Sequence, residues 1–259
     1  HRTSRRQRQM CIRDRNNYMK SLFAILFAAS LNSEKIPLSN INTDALPVSD
    51  LMTSNYAPQK DSKATDILNA VSLATKSRKT ITLSFTFKVK NGEMEEVQKG
   101  DLKIKGAKYW YSIFGTTKIS DGKSIAEIIM EDKEVSISSA NFNDPDEFSP
   151  QEMFTIYEKG YKYRHMGQKT FNGVEVDLID LYPDADNTQP YRRVTLFVNR
   201  AKNEINKIEL FHKTSAKVFS VEVEKSVYDI EISDNIFKCE CEKWPEIEGW
   251  DCDDTRNSK

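Results

Sequence analysis

The chain has 259 residues, enough for one large β domain or two small ones. Its formal net charge is −1 with both signs interspersed, which disfavours polyanionic partners, and no basic-aromatic patch points to nucleic acid. It carries no nucleotide-binding glycine loop, no parallel βαβ alternation and no internal repeat, which excludes the common cofactor-binding and solenoid classes.

Residues 1–18, HRTSRRQRQMCIRDRNNY, read as foreign sequence of the adapter read-through kind, joined upstream of a start at Met19. Residues 19–32 then read as a signal peptide. Lys20 is a minimal positive region, Leu22 to Ala29 a short apolar run, and Ala28, Ala29 and Ser30 offer a cleavage site. The apolar run is too short to span a bilayer. No cysteine follows it, so an N-terminal lipid anchor is not expected. The expected location is the periplasm. Residues 33–60, rich in Ser, Asn, Pro and Asp, read as a flexible leader before a β domain at 61–250 and a polar tail at 251–259.

The spacing predicts a first helix over 62–77, capped by Asp61 or Ser62, with Ala64, Ile67, Leu68, Val71 and Ala74 or Thr75 on its apolar face. Residues 80–90, TITLSFTFKVK, alternate almost without fault. Ile81, Leu83, Phe85, Phe87 and Val89 share one face, and the polar residues share the other. Asn91-Gly92 turns the chain into a strand that leads through Val97. Gly100 to Lys123 then reads as strand, turn, strand, turn, strand, punctuated by Gly106, Gly115 and Asp121-Gly122. Two more strands follow at Ile125 to Met130 and Val135 to Ile137. Ser149-Pro150-Gln151-Glu152 starts a short aromatic helix with Phe154 and Tyr157 that ends at Gly160. The remainder reads as a meander: Val174 to Leu181, Arg193 to Asn199 with Val194, Leu196 and Val198 inward, Ile205 to Phe211, Val218 to Glu224, Val227 to Ile232 and Ile236 to Cys241. The predicted fold is therefore mainly β with two or more short helices. Ten or eleven strands form a curved antiparallel sheet, an incomplete, half-open β-barrel covered by helices.

Past residue 18 the cysteines are Cys239, Cys241 and Cys252. Two residues apart on a strand, Cys239 and Cys241 cannot easily pair with each other, so one disulfide from Cys252 to either is expected. C-x-C with one distant cysteine lacks the spacing and the fourth soft ligand of a zinc site, and no metal is expected.

The segment G-D-L-x-I-K-G-x-K-Y, followed by S-D-G-K, resembles the outer-membrane lipoprotein carrier proteins, the LolA-like periplasmic chaperones, in particular the Bacteroidota type. The matching residues are Gly100, Asp101, Leu102, Ile104, Lys105, Gly106, Lys108 and Tyr109, then Ser120 to Lys123. A looser resemblance covers about 62 to 247, through Phe154, Tyr157, Gly160 to Tyr163, Leu181 to Pro183 and Phe237. Two departures stand out. Gly106-Ala107 occupy the place of a functional arginine of enterobacterial members, and Ile125-Ala126 the place of an aromatic after the S-D-G-K turn. The arginine's contact with the lid is therefore not carried over.

The resemblance implies a non-enzymatic chaperone that takes acylated lipoproteins from an inner-membrane export complex to an outer-membrane acceptor, as a monomer and without a cofactor. Candidate residues lining an acyl-chain cavity, chosen by strand face, are Leu83, Phe85, Phe87, Leu102, Ile104, Tyr109, Tyr111, Ile113 and Phe154. The rival expectation is a binding or envelope-sensor module of similar fold whose sheet is filled by side chains. Catalysis has little to stand on. His165 and His212 neighbour no nucleophile motif, and Glu222, Glu224, Asp229 and Glu231 read as wet-face charges.

Overall fold

The computed structural model describes residues 61–141, 157, 160–184, 190–243 and 250–256. The predicted upstream segment, signal peptide and leader lie outside the described residues, as does the second helix apart from Tyr157 and Gly160.

Among the described residues one helix, α1 (Ser62–Ser77), precedes twelve strands: β1 (Thr80–Asn91), β2 (Met94–Lys105), β3 (Lys108–Ile113), β4 (Thr116–Ser120), β5 (Ser124–Ile129), β6 (Glu134–Ser139), β7 (Tyr161–Phe171), β8 (Val174–Pro183), β9 (Tyr191–Asn199), β10 (Glu204–His212), β11 (Val218–Tyr228) and β12 (Asp251–Asp254). They form a single sheet in the order β12-β6-β5-β4-β3-β2-β1-β11-β10-β9-β8-β7. Two meanders, β1 to β6 and β7 to β11, are joined where β1 pairs antiparallel with β11. The sheet is curved and open, because β12 and β7 are its two ends and do not pair.

α1 forms where the apolar spacing predicts it. Asp61 is the N-cap, and its Oδ1 accepts from the backbone N–H of Lys63 at 2.9 Å and of Ala64 at 3.4 Å. The buried face is Ala64, Ile67, Leu68, Val71 and Ser72, so the last turn buries Ser72 in place of the predicted Ala74 or Thr75. Both ends are tied to the sheet. The backbone N–H of His165 donates to Asp61 Oδ2 at 2.9 Å. At the other end the Arg78 guanidinium sits 3.4 Å from the centre of the Tyr228 ring and 3.4 Å from Glu204 Oε1.

Four sequence expectations are corrected. Tyr161–Phe171 is a strand, although no strand is predicted there; Met166 and Gly167 stand opposite the single Leu178, and this one-residue bulge breaks its alternation. Val218–Tyr228 is one strand, because a bulge opposite Ser84 and Phe85 absorbs Glu224 and pairing continues through Ser226 to Tyr228. Ile236 to Cys241 is not a strand: Asp234–Phe237 and Cys241–Lys243 are 3-10 turns. Within the predicted polar tail, Asp251–Asp254 pairs with β6, and it does so in parallel, the one exception to an otherwise antiparallel sheet.

Candidate ligand-binding face

Residues paired across antiparallel strands share a face, so the register assigns every side chain to the side that α1 covers, here the inner face, or to the outer one. On β1 and β2 the inner pairs are Ile81 with Ile104 and Leu83 with Leu102. On β3 they continue as Tyr109 and Tyr111. On β8 to β11 the inner face carries Ile179, Leu181, Val194, Leu196, Ile208 and Leu210, and all of these pack in one cluster with α1.

Seven predicted site residues fall in that cluster: Leu83, Phe87, Leu102, Ile104, Tyr109, Tyr111 and Ile113. Phe85 is half-buried and packs against it. Phe154 lies outside the described residues. The contributions of β8 to β11 to this face were not among the predicted site residues. Their signal is present in the alternation of Val194, Leu196 and Val198, although the candidates chosen by strand face lie on β1 to β3 and at Phe154.

The face has an aromatic row. Phe114 meets Phe87 edge to face at 5.7 Å, Phe87 stacks on Phe219 at 6.4 Å, and Phe219 meets Tyr191 edge to face at 6.2 Å. Phe114 reaches Phe87 from the β3–β4 turn, where it adopts φ +54° and Gly115 φ +73°, the pattern of a two-residue hairpin turn with both central residues left-handed. Burial pushes the Tyr111 phenol well above its ordinary value, with Tyr109 and Glu127 adding to the effect. Tyr111 therefore stays neutral on this face.

Beyond β3 the dry side changes. Lys118 and Glu127 stand opposite Tyr111 on the inner face of β4 and β5 and pair at 3.2 Å. Ser136 and Ser138 of β6, on the same face, are exposed. The apolar residues there, Ile119, Ala126, Ile128, Val135 and Ile137, face outward and form a second cluster under Ile232, Phe237 and Cys239. Cys241 and Cys252 form a disulfide at the rim of that cluster. Cys239 is the free thiol; burial pushes its pKa to about 11, and it lies 3.5 Å from the Ile119 carbonyl oxygen. The largely apolar inner face thus gives way beyond β3 to more polar, partly buried side chains on β4 and β5 and to exposed serines on β6.

The titratable groups have structural partners. His165 Nε2 bonds the buried Asp177 carboxylate at 2.5 Å. His212 accepts at Nδ1 from the Thr214 backbone N–H. Burial raises the Glu222 pKa, but Lys207 at 3.0 Å and Lys88 at 3.4 Å outweigh it and hold the carboxyl below its usual value. Glu224 is lowered first by its hydrogen bond from Thr86. Among the described residues no three His, Cys, Asp or Glu side chains gather as a metal site requires.

No family model and no curated protein matches the chain. Solved structures do. A conserved protein from Thermus thermophilus has a TM-score of 0.50 at 7% identity, over 74% of this chain and 99% of its own. The Mycobacterium tuberculosis lipoprotein LppX gives 0.44 at 10% identity over 67% of this chain and 99% of its own. A LolA superfamily protein from Nitrosomonas europaea gives 0.36 at 11% identity over 68% and 97%. At these identities the likeness is one of fold.

Proposed function

We propose that the protein is a periplasmic carrier that shields the acyl chains of lipoproteins on its inner face and delivers them from the inner to the outer membrane. The observation that carries this reading is the largely apolar inner face from β8 to β3, which packs in one cluster with α1 and is lined mainly by aliphatic and aromatic side chains. Acyl chains contribute about 0.8 kcal/mol per buried methylene, so they need a surface of this kind in water and no specific polar anchor. Handover is then a matter of uncovering the face. The lipoprotein-carrier motif on β2 to β4 lies on strands of the same surface. Leu83, Phe85, Phe87, Leu102, Ile104, Tyr109, Tyr111 and Ile113 are its proposed chain-contacting residues. The fold needs no catalytic group for this task.

A second reading, a binding or envelope-sensor module, is favoured by one observation. Leu83, Leu102, Tyr109 and Tyr111 are only 1–3% exposed, as in a sheet whose inner face is packed. For a carrier this is the covered resting state.

Lipid extraction separates the two. The protein is co-expressed with a triacylated lipoprotein, purified without detergent and extracted with organic solvent. A carrier yields acyl chains in proportion to protein, and Phe85→Glu, folded by circular dichroism, loses them. A folded protein that never yields acyl chains favours the sensor module.

A further inference from the structure

β2 is longer than its neighbour β3. It pairs with β1 along its whole length, from Met94 opposite Asn91 to Lys105 opposite Thr80, without a register shift. β3 pairs with it only from Asp101 to Lys105. Residues 94–100 therefore present a bare edge on the β3 side, with no backbone partner there among the described residues. Most of this edge stands in water: Met94 is 70% exposed and Val97 48%, and burial sets in only at Gly100.

Such edges pair readily with another strand, and sheets usually blunt them. The two outer edges of this sheet are blunted. β12 is four residues long and acidic, and β7 carries the bulge between His165 and Gln168. The 94–100 edge has no bulge. Its charges select an occupant. Glu93, Glu95 and Glu96 are exposed. Lys99 is engaged by Glu224 at 3.6 Å and Lys88 by Glu222 at 3.4 Å, which among the described residues leaves Lys90, opposite Glu95 in the register, as the one cation of this stretch without an ion pair beside three exposed carboxylates.

We propose that residues 94–100 take up an extended, Lys- or Arg-containing polypeptide as an added strand, main chain to main chain. Resting on the carrier reading, the segment is the peptide that follows the acylated residue of the cargo. The edge ends at Gly100, directly beneath the half-buried Phe85 ring of the inner face. A peptide on this edge thus leaves its acyl chains beside the apolar surface.

The test uses a synthetic tripalmitoylated Cys-Ser-(Lys)4 peptide and its (Glu)4 counterpart, with amide hydrogen exchange and binding as readouts. The Lys peptide should slow exchange at residues 94–100. Glu95→Lys with Glu96→Lys should weaken it about tenfold, the scale of reversing two exposed charge contacts, and should favour the Glu peptide instead. A bound lipopeptide, seen by native mass spectrometry, that leaves exchange at 94–100 and the variant's affinity unchanged overturns the proposal. If neither lipopeptide binds, the carrier reading fails, and a lipid-free peptide of alternating Lys and Val becomes the probe. Slowed exchange at 94–100 then keeps the edge as a strand acceptor, and unchanged exchange removes it.

Discussion

The far end of the Phe85 ring reaches Gly100 on the adjacent strand, so close that a Cβ added at Gly100 would sit 2.5 Å from Phe85 Cζ. The first residue of the carrier-like motif is thus the seat for an aromatic of the inner face. Its φ is not left-handed, so the requirement is for space and not for backbone freedom. Gly100→Ala should cost about 1–3 kcal/mol, the range of overpacking. Phe85→Leu should remove most of that penalty. A double-mutant cycle in urea measures this, and additive costs would contradict the contact.

Asp61 ties α1 to β7, and its carboxyl is held below its ordinary value of 3.8, first by the His165 backbone N–H; burial opposes this, and the N–H groups of Ala64 and Lys63 add to the lowering. A lowered folded pKa means that the stabilisation is complete above the unfolded value and is lost as pH falls through the folded one. Stability should therefore fall as the pH drops to and below about 3.8. Asp61→Asn keeps a capping oxygen without the charge and should show a shallower drop. Equal slopes for the two proteins in denaturant titrations would argue against the tie.

Cys239 should resist alkylation. Its thiol is buried, and a pKa of about 11 leaves little thiolate at neutral pH. Iodoacetamide at pH 8 should modify it only under denaturing conditions. Rapid labelling of the folded protein would show that the cover over the outer face of β4 and β5 opens readily.

The Cys241–Cys252 bridge closes a short loop, worth roughly 3 kcal/mol in the chain-entropy view. Reduction, or Cys252→Ser, should release β12 and raise exchange in β6, where Asp254 pairs with Ile137, while β8 to β10 remain protected. Uniform loss of protection across the sheet would mean that the second cluster is not a separable unit.

Much of this architecture is legible in the sequence because period-2 alternation in β1, β2, β9 and β10 marks one dry face. It fails where alternation and pairing part company. Phe237, Cys239 and Cys241 alternate inward as a strand would, yet the segment turns in 3-10 geometry and lies on the outer face of β3 to β5. β7 is hidden by its bulge at Met166-Gly167, which shifts the period in the middle of the strand. β12 is acidic and gains its place from the disulfide, which Cys252 does announce, and from its parallel pairing with β6, which nothing in its own residues announces. The switch of the dry face beyond β3 is readable only from the register, since Ile119 and Ala126 look no different in sequence from inner-face residues.

The most direct test of the carrier account is photo-crosslinking from the acyl chain itself. A triacylated lipoprotein bearing a diazirine near the end of each chain is loaded onto the protein, irradiated and mapped by mass spectrometry. The account predicts adducts on the inner face, at Phe85, Leu83, Leu102, Tyr111 and their neighbours, and predicts none on the outer residues Trp110 and Ile119. Adducts spread over both faces, or confined to the outer cluster, would contradict it.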